Sequence, residues 1–171
     1  MNQPVLYLFV GVPGAGKTTV AKLIEDTTDA VHLWADQERQ KMFDEVSHSK
    51  EESEALYNVL NQQTDALLAD GKSVIFDTNF NYRKDRDYLR SIAEKHDAKT
   101  CIIWLTTPVE VARERALHDT HRDRNGYEHI MKPEQFDLLI SRLERPTDNG
   151  DFITIDGSNI DEVAVKRQLG I

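Results

Sequence analysis

Apolar positions along the chain follow two rhythms that alternate from end to end. Short unbroken apolar runs at residues 5–10, 31–34, 73–76, 100–105 and 152–155 read as β-strands. Between them, apolar residues recur at helical spacing. The pattern predicts helices over 19–26 (Val20, Leu23 and Ile24 inward), 37–46 (Met42, Phe43, Val46) and 51–69 (Ala55, Leu56, Val59, Leu60, Leu67, Leu68). Further helices are expected over 83–96, from Pro108 toward Leu117, from Pro133 to Arg145, and over 161–169. Strands alternating with helices predict an α/β domain built on a five-stranded parallel sheet, with ligands at the carboxyl ends of the strands. The stretch from His118 to Met131 has no apolar rhythm and reads as a polar flap, part of a mobile lid spanning about 115–132.

The first strand runs directly into Gly11-Val12-Pro13-Gly14-Ala15-Gly16-Lys17-Thr18-Thr19, and a helical pattern follows. That is a G-x-x-x-x-G-K-T phosphate-binding loop in its required strand–loop–helix setting. The glycines let backbone N–H groups approach a polyphosphate, and the helix adds its positive end. Lys17 supplies a point charge for the β- and γ-phosphates, and Thr18 a hydroxyl for Mg²⁺. A glycine-rich turn with a lysine beside it would lack the preceding strand. ATP and Mg²⁺ are therefore the expected cofactors.

Two carboxylates fall at other strand ends. Asp77 closes the third strand, where such a loop's Mg²⁺ shell takes support, followed by Thr78 and Asn79 with no glutamate to polarise a water. Asp36 closes the second strand, with Arg39 one helical turn on. A kinase needs a base for the acceptor hydroxyl and a cation near the acceptor or the transferring phosphoryl, and this pair supplies both. An N-capping aspartate with a surface ion pair is the plainer alternative. The flap and its approach hold Arg113, Arg115, Arg122 and Arg124, which a closing lid would bring to the developing charge. His118, His121 and His129 lack cysteine and tidy ligand spacing, and read as polar flap residues rather than a zinc site. Trp34 and Trp104, both in strands, read as core.

Length and composition narrow the setting. The 171 residues fit one domain, 39% hydrophobic and 30% charged, without an apolar run long enough to span a membrane. Cys101 is the single cysteine and sits in an apolar run, so no disulfide-linked partner is expected and a reducing cytoplasm is. The net charge of −9 argues against a general nucleic-acid-coating surface. Residues 36–70 alone hold nine acidic against three basic residues, while residues 73–100 hold six basic ones.

Taken together, GVPGAGKTT, WADQERQ, FDTNFN and the RER…HRDR flap resemble the polynucleotide 5′-hydroxyl kinase type of P-loop kinase. That grouping takes in AAA-type small kinases and, more distantly, zeta toxins and chloramphenicol phosphotransferase. The resemblance spans nearly the whole chain and implies a three-layer, nucleoside-kinase-like P-loop NTPase. It implies Lys17 and Thr18 on phosphates and Mg²⁺, Asp36 as general base and Arg39 in the acceptor region. It further implies Asp77, Asn79 and Arg86 (or Arg83) around the acceptor, and Arg115 on the transferring phosphate. The second lid arginine does not align: that position is Asp119 here, and Arg122 or Arg124 must substitute. The implied activity is transfer of the γ-phosphate to a hydroxyl, with a polynucleotide 5′-end as the family-led acceptor. A small metabolite, nucleoside or antibiotic is the alternative that the acidic 36–70 segment favours. A nucleotide-dependent ATPase or switch binding a protein partner is the competing class.

Overall fold

The computed structural model describes residues 3–118, 131–147 and 152–171. Five strands form one sheet: β1 (Val5–Val10), β2 (Val31–Trp34), β3 (Val74–Asp77), β4 (Lys99–Leu105) and β5 (Phe152–Ile155). All pairings are parallel, in the order β2-β3-β1-β4-β5. Helices α1 (Lys17–Thr27), α2 (Ala35–Met42), α3 (Lys50–Ala69), α4 (Arg83–Lys95), α5 (Val109–His118), α6 (Pro133–Ser141) and α7 (Glu162–Leu169) connect and cover it.

The unbroken apolar runs are explained by cover on both faces of the sheet. Along β1, Tyr7 and Phe9 pack with Val20 and Ile24 of α1, Ala112 of α5, Phe136 of α6 and Val165 of α7. The alternate residues Leu6, Leu8 and Val10 pack with Leu56 and Leu60 of α3 and Leu89 and Ala93 of α4. The result is three layers with the sheet in the middle. Phe9 and Leu8 are fully buried, and truncating such a phenylalanine to alanine costs about 3–5 kcal/mol. Among the described residues no helix is long and apolar enough to cross a membrane.

Three helices depart from the expected pattern. The sixth was expected to reach Arg145, but α6 stops at Ser141. The second was expected over 37–46, but α2 begins at Ala35, directly after β2, and stops at Met42. Phe43 is already extended, and the chain then turns so that Ser47 and His48 donate their N–H groups to the Glu52 carboxylate. In α3 the buried stripe is Glu52, Leu56, Leu60, Thr64 and Leu68, one residue per turn, while Ala55 is exposed. Thr64 is tolerated inside because its hydroxyl donates to the Leu60 carbonyl at 2.8 Å. Ser49 caps the helix by accepting from the Glu52 N–H.

Candidate active site

Gly11, Asp36 and Asp77 lie at or just beyond the carboxyl ends of β1, β2 and β3, which are neighbours in the sheet. Gly14 (φ 81°) and Gly16 (φ 103°) lie in the left-handed region, where glycine avoids the Cβ clash. Gly16 is the N-cap of α1 and makes no side-chain cap bond, so this end presents backbone donors. Lys17 Nζ donates to the Gly11 and Val12 carbonyls, each at 2.9 Å, which folds the ammonium over the loop. Pro13 and Ala15 complete the loop, with Ala15 fully buried, and Thr19 faces solvent on α1.

The loop rests on a second support that periodicity did not reveal. Thr107, after β4, donates from Oγ1 to the Ala15 carbonyl at 2.7 Å and accepts from the Gly157 N–H at 3.0 Å. Gly157 follows β5. A Cβ placed there would lie 1.9 Å from the Ala15 carbonyl oxygen and 2.5 Å from Thr107 Oγ1. The β5–α7 loop is thus packed backbone to backbone against the phosphate-binding loop.

Thr18 Oγ1 donates to Asp77 Oδ1 at 3.3 Å, bringing the hydroxyl and carboxylate assigned to Mg²⁺ to one place. Both are hard oxygen donors of the kind Mg²⁺ takes, and Asp77 is 3% exposed. The other Asp77 oxygen contacts His32 Nε2 at 3.2 Å, and His32 Nδ1 contacts Glu25 Oε2 at 3.1 Å. Burial pulls the His32 pKa down, but its hydrogen bonds to Asp77 and Glu25 outweigh that and leave it raised above 6.5. His32 was legible only as a polar residue inside a short strand.

Asp36 and Arg39, expected to share a face, are separated by burial. Asp36 is exposed in the first turn of α2. Arg39 is buried, its Nη1 donating to Glu52 Oε1 at 2.5 Å and to Ser53 Oγ at 3.4 Å. Hydrogen bonding from Ser47, against the opposing effect of desolvation and with help from Arg39, lowers the Glu52 pKa to about 2. Arg39 therefore ties α2 to α3. Burial raises the pKa of Tyr57, a residue that the periodicity reading passed over. The Tyr57 hydroxyl lies 2.8 Å from Thr78 Oγ1.

Asn79 lines a groove between α3 and α4, together with Tyr57, Thr78 and Asn81. Arg86 is buried and donates from Nη1 to the Phe80 carbonyl at 2.7 Å, so it props the 77–81 segment from beneath. Arg83 is exposed on α4, 3.4 Å from Asp87. Arg115 donates to the Gly157 carbonyl at 2.7 Å and the Ser158 carbonyl at 2.9 Å, joining α5 to the β5–α7 loop. Arg113 pairs with Asp137 of α6 and lies over the Phe136 ring, while His118 contacts Glu114 on the surface. Arg122 and Arg124, with Asp119, His121 and His129, lie outside the described residues. Burial raises the Cys101 thiol to about 11, which leaves it protonated and unreactive.

A parallel 2-3-1-4-5 sheet whose central strand feeds a G-x-x-x-x-G-K-T loop, with Thr18 against Asp77, defines a P-loop NTPase of the small-kinase type. The chain belongs to the AAA domain family, whose model matches residues 6–146. It is 29% identical over 180 residues to the Schizosaccharomyces pombe protein named Probable gluconokinase, covering 99% of this chain and 90% of that one. It is 26% identical over 126 residues to a shikimate kinase of Nitrosomonas europaea, covering 67% of this chain and 54% of that protein. Among solved structures, a provisionally assigned kinase from Chloroflexus aurantiacus superposes with a TM-score of 0.78 at 21% identity, covering 99% and 98% of the two chains. That last likeness is one of fold.

Proposed function

We propose that this protein is an ATP-dependent phosphotransferase that moves the γ-phosphate of Mg·ATP to a hydroxyl of a small metabolite. The observation that carries the reading is the placement of exposed Asp36 just past the end of β2, the strand that pairs with β3 and so with the Thr18–Asp77 contact at its end. A simple nucleotide switch has no use for a second carboxylate there. The two curated relatives are named for gluconate and shikimate, both small hydroxylated molecules. A polynucleotide 5′-hydroxyl is the second reading, favoured by the D-T-N-F-N segment at Asp77–Asn81.

In this reading the loop N–H groups and the α1 N-terminus hold the β- and γ-phosphates, and Lys17 leaves its loop carbonyls to join them. Thr18 and Asp77 are the residues that would hold Mg²⁺, which when bound offsets charge on the phosphate oxygens. Asp36 accepts the proton of the attacking hydroxyl. Asn79 contacts the acceptor, while Arg39 and Arg86 act from beneath by holding α3 and the 77–81 segment in place. Arg115, Arg122 and Arg124 are assigned to the transferring phosphoryl, as part of a lid over about 115–132 within a single kinase domain. For Arg115 this requires release from the Gly157 and Ser158 carbonyls.

The test is transfer of label from γ-labelled ATP to a panel of hydroxyl compounds, including 5′-hydroxyl oligonucleotides. Lys17→Ala should abolish transfer. Asp36→Asn should lower kcat by about 10² or more while ATP binding persists, the usual weight of a general base. Label appearing only as free phosphate, whatever hydroxyl is offered, would favour an ATPase or switch instead.

A further inference from the structure

The groove between α3 and α4 encloses about 540 Å³ and continues into a second hollow of about 340 Å³ through shared Asn58, Asn61 and Tyr88. We infer that this groove is the acceptor site and that it takes an uncharged, polyhydroxylated molecule of the sugar or polyol class. The inference rests on the phosphotransferase reading above and adds the acceptor's place and chemistry.

Position comes first. The groove's inner wall is Thr78, Asn79 and Asn81, which follow directly on Asp77 at the end of β3. Tyr57 of α3 reaches this wall through its bond to Thr78, and Asp36 follows β2, whose Trp34 lies in register with Asp77. A molecule in the groove therefore sits against the segment that follows Asp77, at the carboxyl end of the sheet.

The lining chemistry is that of hydroxyl recognition. Four amides face the groove, from Asn58, Asn61, Asn79 and Asn81. Asn79 Oδ1 and Asn81 Oδ1 are buried and have no hydrogen-bond partner among the described residues, and Asn81 is only 7% exposed. Buried polar atoms are rarely left so, and a ligand that supplies the missing bond explains them. A hydroxyl suits either end of an amide, because it both donates and accepts. Tyr88 is 55% exposed at the junction of the two hollows, where its ring offers a flat face to the C–H side of a sugar.

Charge disfavours the anionic alternatives. Arg39 is paired with Glu52, and Arg86 is turned inward to the Phe80 carbonyl. The lining Lys50 lies 3.7 Å from Glu54, and Asp85 adds a second carboxylate to the wall. In the outer hollow, Lys95 contacts Asp65, a carboxylate that His96 also contacts. A carboxylate or phosphate on the acceptor would meet Glu54 and Asp85, while Lys50, Arg39, Arg86 and Lys95 already contact a carboxylate or carbonyl and Lys84 lies over the Tyr82 ring; a neutral molecule meets no such repulsion.

The transfer balances without another reactant. The acceptor hydroxyl oxygen bonds to the γ-phosphorus, the bond from that phosphorus to the β–γ bridging oxygen breaks, ADP leaves, and the hydroxyl proton passes to Asp36. The test offers the intact protein labelled ATP with neutral sugars and polyols, the matching sugar acids, and 5′-hydroxyl oligonucleotides. Label should collect on a neutral polyol or sugar. Tyr88→Ala and Asn58→Ala should each raise KM for that acceptor about tenfold, the loss expected from one good contact, with KM for ATP and Tm unchanged. Label confined to a sugar acid or an oligonucleotide would overturn the inference while leaving the kinase reading intact. So would a neutral acceptor whose KM ignores both substitutions. Label released only as phosphate would bring down both.

Discussion

Gly157→Ala is the sharpest perturbation of the loop that grips nucleotide. The glycine is required by space, because a methyl group there would overlap the Ala15 carbonyl oxygen at 1.9 Å and Thr107 Oγ1 at 2.5 Å. One neighbour is backbone and the other is bonded to that backbone, so neither can turn aside. Relief requires the β5–α7 loop to lift, which breaks the Gly157 N–H to Thr107 bond and loosens Thr107 from Ala15. Overpacking costs about 1–3 kcal/mol, and the two bonds contribute about 1 kcal/mol each, giving a loss of about 3–5 kcal/mol. At 2–4 °C per kcal/mol for a domain of this size, Tm should fall by about 6–20 °C. The assay is thermal melting with and without ATP, beside Gly71→Ala and Gly170→Ala. Those two have positive φ (72° and 74°) but nothing within 4 Å of an added Cβ, so they report backbone strain alone at about 1–2 kcal/mol. The affinity for ATP should also weaken in Gly157→Ala and hold in both controls. A Gly157→Ala protein that melts no lower than the controls would refute the argument.

Two pH experiments follow from the buried ion pairs. The pKa of His32 is raised when folded, so its stabilising effect is complete below its ordinary 6.5 and is lost as pH rises through the folded value. Urea midpoints measured without nucleotide or Mg²⁺ should fall with rising pH over that window, and His32→Gln should flatten the decline; an unchanged slope would show that another group carries it. Glu52 moves the opposite way, from 4.5 to about 2, so its contribution is present above pH 4.5 and lost on acidification toward 2. The acid limb of the stability curve should flatten in Glu52→Gln, read by circular dichroism across the same range, and an identical limb would sever Glu52 from the effect.

How legible the molecule was depends on the distance over which each feature is made. The phosphate-binding loop and Asp77 were legible because each follows its own apolar run, and cover on both faces turns a central parallel strand such as Val5–Val10 into an unbroken one. Asp36 and Arg39 were legible as residues but not as partners. Spacing of three puts them near one face, yet Glu52, thirteen residues beyond Arg39, draws the guanidinium into the α2–α3 contact. The overrun of α2 has the same origin, since the loop around Ser47 and His48 is shaped by a carboxylate on the next helix. The groove could not be read at all, because it is assembled from α3 and α4, which no local pattern relates. Gly157 carried no local signal, because the Ala15 and Thr107 that require a glycine there are distant along the chain.

The order of the strands also bears on how the chain comes off the ribosome. β1 emerges first but takes the middle of the sheet, hydrogen-bonded to β3 on one side and β4 on the other. Neither neighbour exists until more than sixty further residues have been made, an interval of about 3–13 s at ordinary elongation rates. Through that interval Leu6, Leu8, Phe9 and Val10, all fully buried at the end, have no sheet to join. β2 cannot serve, because its place is on the far side of β3. The nascent protein must therefore carry its most apolar strand unpaired until Val74–Asp77 appears, which makes arrival of the third strand the event that starts the sheet.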